Sequence, residues 1–253
     1  MSHLLKITFT VLILLCSAQA HAAGDVVKPP SQSWSFDGFH GTYDRAALQR
    51  GYQVYAQVCA ACHSMDRLYY RDLAALGYNP AQLKTIAANY SVIDGPDDEG
   101  EMFERPALPS DSFVNPYPNK KAAAFVNNGA MPPDLSLIAK ARAGGADYIF
   151  SLLTGYKEPS HGTELLPGQY WNKYMPGHVI AMAPPLSDGL VAYEDGTPET
   201  AAQYAMDVAH FLTWAAEPHM EKRKQIGIMA FLYLLVFTGV MYAAKRKIWA
   251  NKH

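Results

Sequence analysis

The sequence predicts a mostly α-helical domain with long irregular loops, followed by one C-terminal transmembrane helix. Apolar residues recur at helical spacing in several segments, proline-rich and glycine-rich stretches separate those segments, and 20 consecutive residues near the C-terminus carry no charge. The chain has 253 residues, of which 49% are hydrophobic and 17% charged, as in a globular protein rather than a disordered one. The formal net charge of -2 argues against a nucleic-acid binder, which needs a basic surface.

The N-terminal residues 1–22 have the pattern of a secretory signal peptide. Lys6 precedes an apolar run over residues 7–16 that is too short to span a bilayer, and small residues follow it. We expect cleavage near residues 20–23, and the alternative is an uncleaved anchor. Cleavage would leave Cys59 and Cys62 as the only cysteines, which is too few for a disulfide scaffold.

The body, residues 24–219, alternates helical segments with irregular ones. The apolar spacing after Asp44 predicts a first helix over residues 44–61, whereas the Pro, Gly and Asp content of residues 91–120 predicts a long loop. Asp134, after two prolines, is expected to cap a helix over residues 135–143, and a second helix is expected over residues 146–154, ending at Gly155.

The last part of the body repeats this alternation. Five prolines in residues 156–190 predict another irregular stretch, and Thr197-Pro198 is expected to begin a final helix that ends before Pro218. Long loops are uncommon inside compact domains unless they have a functional reason. We therefore expect these loops to wrap a large cofactor that supplies part of the apolar core.

Residues 225–244 are the expected transmembrane segment. At about 1.5 Å per residue their helix would be about 30 Å long, the thickness of the hydrocarbon core of a bilayer. Basic residues flank both ends, so charge alone does not orient the segment. The signal peptide predicts an exported body in the periplasm and a cytoplasmic tail at residues 245–253. The alternative for this segment is a buried core helix.

Cys59-Ala60-Ala61-Cys62-His63 matches the haem-attachment pattern C-x-x-C-H. Two thiols one turn apart can reach the two vinyl groups of one porphyrin, and the adjacent His63 can bind the iron. The pattern therefore predicts a cytochrome c-like domain with one covalently bound haem c. There are three competing interpretations. A thiol redox pair normally occurs in a βαβ context, and a zinc half-site requires two more ligands. The third is a chance match.

The sixth iron ligand is not decided by the pattern. A methionine would raise the reduction potential and suit electron transfer, whereas a second histidine would lower it. Met65 is too near His63 to reach the opposite haem face, and Met206 has the spacing of a packing residue. The other candidates remain open: Met102, Met131, Met175, Met182, His161, His178 and His210.

The chain from about residue 34 to the C-terminus resembles the cytochrome c1 family. Besides C-x-x-C-H, the resemblance rests on segments specific to that family: Asn115-Pro116-Tyr117-Pro118, Asn127-Asn128-Gly129-Ala130-Met131-Pro132-Pro133-Asp134-Leu135-Ser136, Ser151-Leu152-Leu153-Thr154-Gly155-Tyr156, Ile180-Ala181-Met182-Ala183-Pro184-Pro185-Leu186, Asp195-Gly196-Thr197-Pro198 and Trp214-Ala215-Ala216-Glu217-Pro218.

This resemblance implies a subunit of the quinol–cytochrome c oxidoreductase in the bacterial inner membrane. Such a subunit takes an electron from the Rieske iron–sulfur protein and reduces a soluble cytochrome c, alongside cytochrome b in a dimeric complex. The resemblance also implies Met182 as sixth ligand, Arg142 near a haem propionate, and Asn115, Pro116 and Tyr117 along the haem. The rival functions are another membrane-anchored monohaem cytochrome (an oxidase subunit or a free shuttle), a haem peroxidase with an open iron position, and a thiol–disulfide protein without haem.

An acidic cluster in the predicted loop over residues 91–120 gives a further expectation. Its members are Asp97, Asp98, Glu99, Glu101 and Glu104. They are either a solvated, disordered loop or a surface that steers a basic soluble cytochrome c by charge.

Overall fold

A computed structural model describes residues 27–159 and 164–250. In this part of the chain seven α-helices are formed: α1 (Arg45–Gln57), α2 (Pro80–Ala88), α3 (Lys120–Val126), α4 (Ile138–Ala141), α5 (Gly145–Thr154), α6 (Ala201–Ala216) and α7 (Met220–Trp249). Short 3₁₀ segments cover Cys59–Ala61 and Tyr70–Leu76. The mostly α-helical class with one long C-terminal helix is confirmed. The signal peptide expected at residues 1–22 and His161 lie outside the described residues.

Two antiparallel strand pairs interrupt the helices. Strands β1 (Ser91–Asp94) and β2 (Phe103–Pro106) pair with Ser91 opposite Pro106, and strands β3 (Tyr170–Trp171) and β4 (Val179–Ile180) pair with Trp171 opposite Val179. The expectation of an irregular loop over residues 91–120 was therefore wrong for its first half. Arg105 forms ion pairs with Asp94 and Asp111, which hold the first hairpin against the following loop.

Helices α1 and α6 pack directly against each other at Gly51. A Cβ atom added to Gly51 would lie 2.0 Å from the carbonyl oxygen of Asp207 and 2.7 Å from the Cβ of Phe211. Only glycine permits this approach, because any side chain would meet the backbone of α6. The core around this contact consists of fully buried side chains, among them Leu48, Val54, Tyr204, Val208, Phe211 and Trp214.

The beginnings and ends of the helices follow local chemistry. The Asp44 carboxylate accepts hydrogen bonds from the backbone N–H groups of Ala46 and Ala47, so α1 begins where the sequence predicted. It ends at Gln57 instead of residue 61, and the chain continues as the 3₁₀ turn. Helix α6 begins later than expected, because the Thr200 hydroxyl caps it by accepting from the N–H of Gln203.

A buried ion-pair network ties the loop before α6 to the helix pair. The Arg50 guanidinium donates to the Asp207 carboxylate at 3.0 Å and to that of Asp195 at 2.7 Å, while the Tyr193 hydroxyl donates to Asp207 at 3.0 Å. The Asp207 side chain is 1% exposed. A charge this buried requires partners, and here they come from α1, from the loop and from Gln203 of α6, whose amide donates to Asp207 at 3.1 Å.

Helix α7 has the length and composition to cross a membrane, and it contains the expected segment 225–244. Its first turns are fixed to the body. Glu221 pairs with Arg45 at 2.7 Å, and the Lys224 ammonium donates to the carbonyl oxygens of Phe36 and Gly41 at 2.6 and 3.1 Å. The helix therefore leaves the domain in a defined direction.

Candidate functional site

The cysteine pair lies at the turn that follows α1. The backbone N–H groups of Cys62 and His63 both donate to the carbonyl oxygen of Cys59, at 3.1 and 2.9 Å, so the two thiols are one tight turn apart. Both are free thiols with partly buried side chains. Burial, with Cys62 beside it, raises the pKa of Cys59 to about 12. The Cys59 thiol is therefore neutral at neutral pH.

The His63 ring is oriented by a backbone carbonyl. Its Nδ1 lies 2.8 Å from the oxygen of Pro133. Burial lowers the pKa of His63 despite this contact, and so favours the neutral ring. A neutral ring that donates Nδ1–H to a carbonyl keeps its lone pair on Nε2, which is the arrangement of a metal-binding histidine.

Asp134 holds the segment after His63 against the proline loop. One carboxylate oxygen accepts from the Ser64 hydroxyl at 2.9 Å and from the Asp66 N–H at 2.8 Å, and the other accepts from the Ser136 N–H at 2.9 Å. The expected helix over residues 135–143 was thus wrong: it shortens to Ile138–Ala141, since Asp134 binds the neighbouring segment instead of capping a helix. Burial alone would raise the pKa of Asp134, but these hydrogen bonds together hold it below its ordinary value.

Asp134→Asn is expected to destabilise the domain by about 1–2 kcal/mol. One carboxylate oxygen becomes an N–H₂ group, which cannot accept the hydrogen bonds that the surrounding donors offer. In the native chain the depressed pKa of Asp134 contributes stability above the unfolded value of about 3.9, and this contribution disappears as pH falls through the folded value. The variant should therefore lose less stability than the native chain as the pH falls from about 5 to about 2. Urea unfolding at several pH values in this range measures the difference.

The exposed carboxyl of Asp98 provides the control for this prediction. Asp98→Asn should leave both the stability and its acid dependence unchanged, because no hydrogen-bonded cluster depends on that side chain. Equal acid dependence in the native chain and in Asp134→Asn would contradict the stabilising role of the Asp134 carboxylate.

The residues expected along the haem occupy different environments. The Tyr117 hydroxyl lies 3.9 Å from the Cys62 sulfur and accepts from the Asn127 amide at 3.2 Å, so the structure brings Tyr117 to the attachment site. Pro116 is half-buried and Asn115 is exposed. Arg142 is exposed at the end of α4, where its guanidinium donates to the carbonyl of Ala141 at 3.2 Å.

The candidate sixth ligands differ in environment. Met65 lies in the core and is 0% exposed, and Met206 packs against that core. Met102 and Met131 are 60% and 49% exposed. Met175 has its sulfur 3.9 Å from the Tyr148 hydroxyl. Met182 follows β4, is half-buried, and its carbonyl accepts from the Tyr156 hydroxyl at 3.1 Å.

The two described histidine candidates are held by aromatic rings. His178 stacks on Trp171 with ring centroids 5.2 Å apart. His210 is 6% exposed and packs edge-on against Trp34 and Phe36. Both rings are therefore used in packing.

These donors fit a haem better than a bare metal ion. In the described ranges, 27–159 and 164–250, no group of three or more His, Cys, Asp or Glu side chains could hold a metal ion. Two thiols one turn apart and a neutral imidazole with its lone pair on Nε2 are instead the donors that a covalently attached haem uses, and the methionines offer candidate thioethers for the sixth position.

Sequence reasoning missed the residues that support this site from a distance. Asn172 is 0% exposed and organises the turn between β3 and β4, and Ser64 meets Asp134 across 70 positions of sequence. A lone asparagine or serine gives no pattern from which such a role could be predicted.

The comparisons with known proteins agree on one family. The model of the cytochrome C1 family matches residues 34–252. Cytochrome c1 of Rhodospirillum rubrum is 45% identical over 96% of this chain and 95% of its own length. A potato (Solanum tuberosum) protein named cytochrome c1-2, heme protein, mitochondrial, is 51% identical over 90% of this chain and 86% of its own.

A longer relative also matches. Cytochrome b/c1 of Bradyrhizobium diazoefficiens is 47% identical over 94% of this chain, and the chain spans 38% of that protein's length.

Proposed function

The chain belongs to the cytochrome c1 family, and on that premise we propose that it is the haem c subunit of a quinol–cytochrome c oxidoreductase. It accepts electrons from a Rieske iron–sulfur protein and passes them to a soluble cytochrome c. The observation that carries the proposal is the Cys59–His63 turn, in which His63 directs Nδ1 to the Pro133 carbonyl and leaves Nε2 for iron.

Each site residue has a role in this proposal. Cys59 and Cys62 would hold the haem covalently, and His63 and Met182 would bind its iron. The bound haem c supplies a one-electron carrier that alternates between ferrous and ferric iron. A thioether ligand raises the reduction potential, into the range needed to accept electrons from a high-potential Rieske centre. Arg142, Asn115, Pro116 and Tyr117 form the surroundings of the haem.

The proposed arrangement in the membrane follows from the ends of the chain. Residues 1–22 are the signal peptide, 24–219 the periplasmic domain, 225–244 the anchor in the bacterial inner membrane, and 245–253 the cytoplasmic tail. The ion pair of Arg45 with Glu221 supports a body that has a fixed orientation relative to the anchor. Cytochrome b and the Rieske protein are the proposed partners, in a dimeric complex.

The proposed electron donor, the Rieske protein, can be tested in membranes that contain the chain. Quinol should reduce the haem c of native membranes, whereas in membranes depleted of the Rieske protein it should reduce only b-type haem. The restored Rieske protein should restore haem c reduction. Equally fast haem c reduction with and without the Rieske protein would exclude the proposed donor.

The acidic hairpin between β1 and β2 is the proposed encounter surface for the soluble cytochrome c. The Asp97 carboxylate accepts from the N–H groups of Glu99 and Glu101, at 3.0 and 2.8 Å, and so closes the turn. The other four acidic side chains are solvent-exposed on this turn and on β2. Fixed negative charges on an ordered hairpin attract a basic partner from a distance.

Neutralising four of these residues together should weaken the salt dependence of cytochrome c reduction. The variant combines Asp98→Asn, Glu99→Gln, Glu101→Gln and Glu104→Gln, and it keeps Asp97 because that residue closes the turn. At low salt the rate should fall by about tenfold or more, because steering is then strongest, and at high salt it should approach the native rate. Stopped-flow reduction across a salt series measures this.

Glu194→Gln, an exposed change outside the hairpin, is the matched control and should follow the native salt profile. A native profile in the fourfold variant would remove the hairpin from the encounter surface.

A further inference from the structure

Asn172 is a fully buried amide at the junction of three segments. Its Nδ2 donates to the carbonyl oxygen of Leu152, in the last turn of α5, at 2.7 Å. Its Oδ1 accepts from the backbone N–H groups of Tyr174 and Met175, at 3.0 and 3.3 Å. The side chain is 0% exposed, so each of these bonds forms away from water, where an unpaired partner would be costly.

The backbone of Asn172 closes the turn that leads into β4. Its N–H donates to the carbonyl of His178 at 2.8 Å, and its own carbonyl lies 3.3 Å from the His178 Nδ1. The His178 ring stacks on Trp171. Met182 lies two residues beyond the end of β4. The conformation of this turn therefore determines the position of the backbone that carries the Met182 side chain.

The same hairpin is bound to the end of α5 by further contacts. The Lys173 N–H donates to the Gly155 carbonyl at 2.9 Å, and the Tyr156 hydroxyl donates to the Met182 carbonyl at 3.1 Å. A Cβ at Gly155 would lie 2.6 Å from the Tyr174 ring, so the packing there is close. Residues 156–190 contain no cysteine, and the hairpin therefore depends on these hydrogen bonds and this packing.

We infer that Asn172 is a positioning residue for the Met182 thioether, acting by fixing the β3–β4 hairpin to the end of α5. This inference rests on the proposed role of Met182 as axial ligand. A neutral thioether binds iron from a segment that must already be in place, because ordering a loose segment would subtract from the binding free energy. Loosening the hairpin lowers the effective concentration of the sulfur at the iron without changing the sulfur.

Carbon monoxide provides a readout that a merely structural role would not affect. It competes with the thioether for ferrous iron, so its apparent affinity rises in proportion to the fraction of chains in which Met182 has dissociated. Global stability does not enter this measurement as long as the protein remains folded. The competition therefore reports on how firmly Met182 holds the iron, and the double variant below separates this from any other change around the haem.

The experiment compares Asn172→Ser, Met182→Leu and the double variant in the membrane-bound holoprotein. Asn172→Ser should raise the carbon monoxide affinity of the ferrous form by about tenfold or more and weaken the absorption band of thioether-ligated ferric haem. In the Met182→Leu background the same change should have no effect on carbon monoxide affinity, because the interaction it tunes is gone. An additive effect in the double variant, or native affinity in Asn172→Ser, would overturn the inference.

Two further variants keep the test decisive. Asn79→Ala removes another structural asparagine, the cap of α2 that accepts from Gln82 at 2.9 Å, and should leave carbon monoxide affinity native. If Asn172→Ser does not fold, Tyr156→Phe removes only the hydroxyl that donates to the Met182 carbonyl, and it should also raise the affinity. If Met182→Leu itself leaves the thioether band intact, the proposed ligand has failed, and that failure is distinct from the failure of Asn172.

Discussion

Met182→Leu is expected to lower the reduction potential of the haem sharply and to open the iron to carbon monoxide. Leucine has a similar volume, so the loop after β4 should keep its packing while the sulfur is lost. A thioether stabilises ferrous iron relative to ferric iron, and its loss therefore favours the oxidised form. Redox titration and carbon monoxide difference spectra of the membrane-bound protein measure both effects.

The other methionines supply the controls. Met131→Leu and Met175→Leu should keep the native potential, because Met131 is 49% exposed and the Met175 sulfur meets the Tyr148 hydroxyl. A native potential in Met182→Leu would transfer the ligand role to Met131 or Met175. Carbon monoxide binding by the unmodified protein would instead indicate an open iron position, as in a haem peroxidase.

Gly51→Ala should prevent stable folding of the haem domain. The new Cβ would lie 2.0 Å from the Asp207 carbonyl oxygen, a backbone atom that can move only if α1 and α6 separate. Separation would expose Val54 and Phe211 and disturb the Arg50–Asp207 ion pair. The cost is about 3 kcal/mol or more, a large part of the stability of a typical domain. The yield of haem-containing protein and urea unfolding would show it.

Gly227→Ala is the matched control, because Gly227 also lies in a helix but an added Cβ would have no side chain and no other segment within 4 Å in the described residues. The stability of the haem domain should be unchanged, since Gly227 lies outside that domain, within the expected membrane segment 225–244. Native stability in Gly51→Ala would mean that the two helices are not in close contact at this position.

The helices that carry the core could be predicted because their signals are local. Asp44 caps α1, and the helix over residues 146–154 ends at Gly155 within one residue of its predicted bounds. The first hairpin could not be predicted, since its strands are short and Arg105 joins Asp94 to Asp111 only after folding. Asp134 misled for the same reason: an aspartate after two prolines has the pattern of a cap, but two of its donors, Ser64 and Asp66, are distant in sequence.

In the candidate site, too, the residues with local sequence signals could be predicted and the long-range contacts could not. Cys59, Cys62 and His63 lie within five residues of sequence, so their pattern alone was enough to propose them. Met182 followed from the family resemblance and not from its surroundings. The Pro133 carbonyl on His63 and the Leu152 carbonyl on the Asn172 amide are long-range contacts, and they appear only when the loops are folded against each other.

The most direct test of the assignment is purification of this chain from membranes in mild detergent. The fraction should contain b-type haem and catalyse quinol-driven, inhibitor-sensitive reduction of cytochrome c, if the chain is the haem c subunit of a quinol–cytochrome c oxidoreductase. Purification as a lone c-type haem protein, or together with an oxidase, would contradict that role but not the proposed haem attachment through Cys59 and Cys62.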